Sequence, residues 1–170
     1  AWARAILEAV GRVVEVNNAL DGEGPMAAER AGTLPAGDLV RLALSRKYSR
    51  DELLRMITGR GGLVAHLGTN SLKDVQRRAA RGERRARAVL QALAYGIARS
   101  IAGCLAALRR NADAIVLAGG MCRCGPLVRS IRRRVGFAGR LIVYGRNLEM
   151  EALAEGAALV LRGRARARTY

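Results

Sequence analysis

An arginine set among glycines is the first place in this sequence where chemistry can be sought. Arg30 lies inside Asn17–Leu39 (NNALDGEGPMAAERAGTLPAGDL), a stretch with Gly22, Gly24, Pro25, Gly32, Pro35 and Gly37 and no helical or strand period. Loops of this length are uncommon in compact domains and are usually functional or disordered. Glycines let backbone N–H groups approach a ligand, and a guanidinium fork donates two parallel hydrogen bonds to phosphate or carboxylate. A solvated loop with a surface arginine fits the same residues. Gly119–Gly120 follows the apolar run DAIVL, at the carboxyl end of an expected parallel strand, where open α/β sheets bind ligands. A plain tight turn is the alternative there. Glu149, Glu151 and Glu155 cluster in a basic neighbourhood, and Glu151 and Glu155 share a helix face. Such carboxylates suit Mg²⁺ alongside phosphate oxygens, although a favourable helix-dipole position accounts for Glu149 more simply. His66, the only histidine, sits between Ala65 and Leu67 and reads as a core or edge residue. Cys122 and Cys124 flank Arg123, with no further paired ligands for zinc. Neither a Walker A motif nor a Rossmann glycine fingerprint occurs.

Composition bounds what these residues can serve. The 170 residues fit a single domain with a basic tail at 162–170, and 51% of them are hydrophobic. No apolar run in the sequence reaches the roughly 20 residues of a membrane span, and Arg4 and Glu8 interrupt the N-terminal segment, so neither membrane nor signal sequence is expected. Three cysteines at 104, 122 and 124 make no disulfide framework, which suits a reducing cytoplasm. Net charge is +16, which invites a polyanion partner. Against that, only Lys47 and Lys73 are lysines among the 30 basic residues, a bias that GC-rich codons alone produce. Aromatics for base stacking are few.

The elements that must position these residues follow from periodicity. Residues 2–10 suggest a short helix, with Ile6, Leu7 and Val10 on one side, and Arg12–Val16 alternates like a strand. Asp38 is a candidate N-cap for a helix through Leu39–Ala43. Ser49 with Glu52, and Ser71 with Asp74, match capping boxes opening two further helices. Between them, TGRGGLVAHLGTN predicts a glycine turn and a short strand over Leu63–Leu67. Residues 83–109 carry the longest helical pattern, through Ala86, Leu90, Leu93, Ile97, Ile101, Cys104 and Leu108. Then Asp113–Leu117 reads as a strand, Gly125–Val135 as a basic helix, Leu141–Tyr144 as a strand and Glu149–Leu161 as a helix. This alternation implies a parallel sheet with right-handed crossovers.

Taken in order, VVEVNNALDGEGPMAAERAGTLPAGDLV, ITGRGGLVAHLGTN, DAIVLAGG and EMEALAEGA resemble the C-terminal half of the butyrate kinases, within the acetate-kinase group of actin-like phosphotransferases. The resemblance spans roughly residues 11–161. It implies an α/β, ribonuclease-H-like domain with a mixed sheet flanked by helices. It further implies reversible phosphoryl transfer between ATP and a short-chain carboxylate, with ATP or ADP and Mg²⁺ bound. By the resemblance, Arg30 matches the arginine of an ERSG-type turn that contacts the transferring phosphoryl or carboxylate. Gly119 and Gly120 match the adenosine-binding turn, and Glu149 matches a Mg²⁺-associated glutamate. Gly68, Asn70, Ser71 and Lys73 lie in or beside the nucleotide loop that carries G-T-N.

The departures are specific. Ser71 and Lys73 stand where the family carries Asp and Arg after G-T-N; lysine keeps charge but loses the bidentate fork. Ala31 replaces a serine, Glu15 an aspartate, and MCRCGP after Gly120 departs from the pattern. The complete kinases are about twice as long, and the glycine-rich strand-turn of the H-L-G-G-G kind is absent before GRVVEV. The first strand is therefore expected to be missing, with the carboxylate site largely on an absent N-terminal lobe and the isolated chain inactive. Self-association into a homo-oligomer, or a non-enzymatic role in binding nucleic acid or other polyanions, are the accompanying expectations.

Overall fold

The computed structural model describes residues 6–9, 12–146 and 149–167. β1 (Ile6–Ala9) pairs antiparallel with β2 (Arg12–Val16), with Ile6 opposite Val16 and a bulge between Leu7 and Glu8. The helix expected over residues 2–10 is therefore a strand where it is described, and the rest of that stretch lies outside the described residues. Four residues are too few to separate the two periods, and ladder pairing with β2 decides it. β1 precedes β2 where the glycine-rich strand-turn was expected to be missing, and its residues, ILEA, are not of the H-L-G-G-G kind.

After the glycine-rich segment come α1 (Ala36–Leu44), α2 (Arg50–Ile57), α3 (Gly62–Leu67), α4 (Leu72–Ala80) and the 25-residue α5 (Arg84–Leu108). Then follow β3 (Ala114–Ala118), a 3-10 turn over Gly120–Arg123, α6 (Gly125–Val135), β4 (Arg140–Tyr144) and α7 (Glu149–Leu161). β3 and β4 are parallel and in register from Ala114–Arg140 to Ala118–Tyr144, with α6 as the crossover. Among the described residues the strands thus form an antiparallel pair and a parallel pair.

Three local readings need correction. The N-cap of α1 is Pro35, not Asp38; Asp38 sits in the first turn, where its carboxylate meets the dipole and pairs with Arg41. Leu63–Leu67 is helical rather than extended, because the N–H groups of Leu63 and Val64 are claimed by Ala27 and Ala28 carbonyls at 3.1 Å, leaving no ladder partner. His66 is consequently an exposed helical residue rather than a core or edge strand residue. The capping box at Ser49–Glu52 is complete, whereas at Ser71 the cap is the serine oxygen accepting from the Asp74 N–H.

The core lies along α5. Ala86, Val89, Leu93, Ala94 and Ala98 are buried there and meet Leu63 and Leu67 of α3, Val75 and Ala79 of α4, and Leu127, Ile131 and Val135 of α6. Ile115 adds the inner face of β3. By length and composition α5 is long and apolar enough to cross a membrane, a length the sequence reading did not credit; here its apolar side forms this core.

Candidate functional site

The segment around Arg30 is a loop closed on itself by its own polar groups. Asn18 Nδ2 donates to Asp21 at 2.6 Å, its backbone N–H to Glu23 Oε2 at 2.6 Å, and Asn17 Nδ2 to the Glu23 carbonyl at 3.2 Å. Further on, Thr33 N–H reaches the Gly24 carbonyl at 2.9 Å and Gly24 N–H reaches Thr33 Oγ1 at 2.9 Å, tying residues 24 and 33 into a collar. Gly32 (φ +75°) is required inside it, since an added Cβ would stand 2.5 Å from the Met26 nitrogen. Buried Ala27 and the partly buried Met26 and Ala28 seat the collar, the latter two against the core.

Within the collar Arg30 is fixed by backbone and side chain together. Its backbone bridges Thr58, its carbonyl accepts from Ala27 N–H at 3.0 Å, and its guanidinium donates to the Ala19 carbonyl. The TGRGG turn closes against it: Cβ atoms on Gly61 or Gly62 would stand 2.3 Å from the Ala31 nitrogen and 1.9 Å from the Ala27 oxygen. These two glycines are therefore what allows α3 to begin directly beneath the arginine turn.

The Gly68–Ser71 loop meets the same turn. Gly68 (φ +69°) is the left-handed C-cap of α3, and Ser71 caps α4, its Oγ accepting from Asp74 N–H at 3.3 Å. Asn70 Nδ2 donates to Glu29 Oε1 at 2.8 Å, joining residues 41 apart in sequence. Lys73 is exposed in the first turn of α4. Behind the loop, Arg78 forks onto Glu83 at 2.7 and 2.6 Å and donates to the Leu67 carbonyl at 2.9 Å. The hydrogen bonds from Arg78 to Glu83 hold the Glu83 carboxyl below the usual carboxylate range and raise Arg78 in turn.

A second group forms at the carboxyl ends of β3 and β4. Gly119 (φ +99°) ends β3, and its N–H reaches the Arg146 carbonyl at 3.3 Å. Arg123 Nε donates to the Gly145 carbonyl, so the turns after the two parallel strands are bound together. An added Cβ on Gly119 or Gly120 would meet open space. Cys122 and Cys124 lie in this turn, and burial pushes both thiols up, away from thiolate chemistry. Glu149 begins α7 just beyond; its side chain lies outside the described residues. Among the described residues no three carboxylate, histidine or cysteine groups gather as a metal site. One or two carboxylates beside phosphate oxygens are nonetheless what Mg²⁺ ordinarily takes from a protein, and Glu149 fits that donor chemistry.

The structure thus brings Arg30, Gly68, Asn70 and Ser71 into one hydrogen-bonded neighbourhood, with Lys73 beside it, and sets Gly119 and Gly120 at a strand-end turn bonded to Gly145 and Arg146, which precede Glu149 in the chain. Sequence reasoning missed Glu29, Gly61 and Gly62. The glycine pair was read only as a turn, and the partner of Glu29 is invisible without the fold.

This arrangement of helices about α5, with a parallel strand pair ending in a glycine turn, has the fold of solved acetate and propionate kinases. The chain superposes on the acetate kinase of Entamoeba histolytica with a TM-score of 0.78 at 12% identity, covering 93% of this chain and 48% of that one. With the propionate kinase of Francisella tularensis the TM-score is 0.72 at 16% identity, over 83% and 43% of the two chains. These likenesses establish the ribonuclease-H-like fold. The acetokinase family matches over residues 15–158, and the chain belongs to that family. It is similar to butyrate kinases 1 and 2 of Clostridium acetobutylicum, 42% and 44% identical over 160 residues. That alignment takes in 94% of this chain but 45% of each relative, so the chain spans about half the length of the curated relatives it matches.

Proposed function

We propose that this chain supplies the nucleotide side of a carboxylate kinase of the butyrate and acetate kinase type. The observation that carries the reading is the joining of the Arg30 turn to the Gly68–Ser71 loop, in a chain of the acetokinase family. The reaction would be attack of a short-chain carboxylate oxygen on the γ-phosphorus of ATP. A bond forms between the acyl oxygen and phosphorus, the bond to the β–γ bridging oxygen breaks, and ADP leaves with its electrons. Such transfer depends on positioning and charge neutralisation more than on covalent chemistry. Arg30 neutralises the transferring group. Gly68, Asn70, Ser71 and Lys73 line the nucleotide loop, and Gly119 and Gly120 let adenosine lie against backbone. Glu149 is the protein carboxylate offered to Mg²⁺, which when bound offsets phosphate charge.

The test is calorimetry with Mg-ADP at moderate salt. Saturable binding is expected, lost in Gly119→Val, where a branched side chain would fill the strand-end turn, and weakened in Arg30→Ala. No binding by a chain shown to be folded would overturn the reading. The 170 residues alone are expected to form no measurable acyl phosphate from ATP and butyrate, because a misplacement of about 1 Å already costs about 10²-fold and much of the carboxylate site is assigned to an N-terminal lobe. Self-association belongs to the same reading, supported by Val13, Val14 and Val16 of β2, all well exposed. Sedimentation as a strict monomer would count against it. We place the chemistry in the cytoplasm.

A second reading has its own observation. Between Asp113 and Glu149 the chain has no acidic residue and seven arginines. Such a surface suits a polyanion, nucleic acid foremost, with or without kinase chemistry.

A further inference from the structure

We infer that Glu29 is a positioning residue, coupling the Gly68–Ser71 loop to the Arg30 turn by holding the Asn70 amide in one orientation. This rests on the reading of those two segments as nucleotide and phosphoryl contacts.

Glu29 is anchored at both ends. Its backbone carbonyl accepts from the Gly59 and Gly61 N–H groups at 2.7 and 3.1 Å, and its Oε1 accepts from Asn70 Nδ2 at 2.8 Å. The other bonds of the Gly68–Ser71 loop are local. Gly68 N–H reaches Val64, Ser71 N–H reaches Thr69 Oγ1, Ser71 Oγ caps α4, and Arg78 holds the Leu67 carbonyl. Those bonds fix where α3 and α4 meet. The Glu29–Asn70 bond instead ties the loop to the residue next to Arg30, which is itself held through Thr58, Ala27 and Ala19.

The chemistry of the pair adds direction. An ionised carboxylate only accepts, so the amide must turn its NH₂ end to Glu29. The Oδ1 end is then the one the loop presents as an acceptor, for instance to a ribose hydroxyl. Without Glu29 the amide is free to flip, and half of its orientations offer a donor where an acceptor is wanted. Glutamine at position 29 still has a carbonyl oxygen to accept from Asn70, whereas alanine has none.

Mg-ADP calorimetry on the unsubstituted chain, Glu29→Ala, Glu29→Gln, Asn70→Ala and the Glu29→Ala/Asn70→Ala double variant tests this, with amide exchange at Thr69–Ser71 read in parallel. Glu29→Ala should weaken ADP about three- to tenfold, as loss of one charge-assisted hydrogen bond does, and speed exchange at Thr69–Ser71. Glu29→Gln should stay within about twofold, and in the Asn70→Ala background Glu29→Ala should add nothing, since the two residues act through one bond. Equal ADP affinity in Glu29→Ala and the unsubstituted chain, or additive losses in the double variant, overturns the inference and leaves the nucleotide reading standing. No ADP binding by the unsubstituted chain overturns that reading and this role of Glu29 with it; exchange at Thr69–Ser71 then reports whether the bond orders the loop for anything else.

Discussion

Glycine matters here through close approach, and the structure separates glycines that look alike in sequence. Gly62 and Gly68 bracket α3 and both have positive φ, +56° and +69°. A Cβ at Gly62 would stand 1.9 Å from the Ala27 carbonyl oxygen, whereas at Gly68 it would meet nothing within 4 Å. Gly68→Ala should cost only the left-handed backbone penalty, about 1 kcal/mol. Gly62→Ala must push the arginine turn off α3 and should cost more than about 3 kcal/mol. Urea unfolding of the two variants checks this, and equal losses would mean that the turn gives way freely. At this scale turns were legible: an arginine among glycines, G-T-N, and Gly-Gly after an apolar run each marked a turn or loop that the structure closes with hydrogen bonds. What stayed hidden was partnership. Glu29 is one carboxylate among fourteen acidic residues until the fold sets Asn70 beside it.

Where a helix end is written in a complete local cap the sequence showed it, as at α2, whereas elements decided by distant partners were misread. The α2 cap is an example of the first kind. Ser49 N–H donates to Glu52 Oε2 at 2.8 Å while Ser49 Oγ accepts from Glu52 N–H at 3.3 Å. The backbone N–H of Ser49 is the leading cause that lowers the Glu52 carboxyl below its ordinary value. A carboxyl with a lower value folded than unfolded binds fewer protons in the native state. Its contribution is therefore present above the unfolded value, about 4.3, and fades as pH falls through the folded one. Glu83, lowered by Arg78, acts in the same direction. Melting temperature should thus drop as pH falls below about 4.3, and the double variant Glu52→Gln/Glu83→Gln should flatten that slope. An unchanged slope would show that neither group differs between the folded and unfolded states. Ser49→Ala should cost about 1 kcal/mol at neutral pH. By contrast, α3 and β1 are segments of six and four residues, too short for their period to separate helix from strand. The Ala27 and Ala28 carbonyls made one a helix, and pairing with β2 made the other a strand.

For the whole molecule, the order helix, strand, helix, strand, helix in the second half was enough to foresee a parallel pair with a helical crossover, and β3–α6–β4 is that unit. The separate antiparallel pair was not foreseeable, because its first strand was read as a helix. Charge was legible in amount but not in place. The fold puts Arg129, Arg132 and Arg133 three and four residues apart on α6, all exposed, and follows them with Phe137, which is 75% exposed, and with exposed Arg140. Among the described ion pairs, none uses any of these arginines. Exposed guanidinium groups followed in the chain by an exposed aromatic ring suit a single strand, with phosphates on the arginines and a base on the ring. Fluorescence anisotropy with a labelled single-stranded oligonucleotide should then show affinity falling linearly in log salt, with a slope of about −0.7 for each phosphate neutralised. Arg132→Ala/Arg133→Ala should make that slope shallower by about one to two units. Phe137→Ala should weaken binding at every salt concentration while leaving the slope alone, since stacking releases no counterions. A slope untouched by the α6 arginines would mean that the +16 charge acts diffusely, as Arg-rich coding alone would leave it. Mg-ADP binding at the proposed nucleotide loop, which would rest on formed backbone and not on a charged surface, should show a weaker salt dependence in the same buffers, which lets the two readings be judged on one preparation.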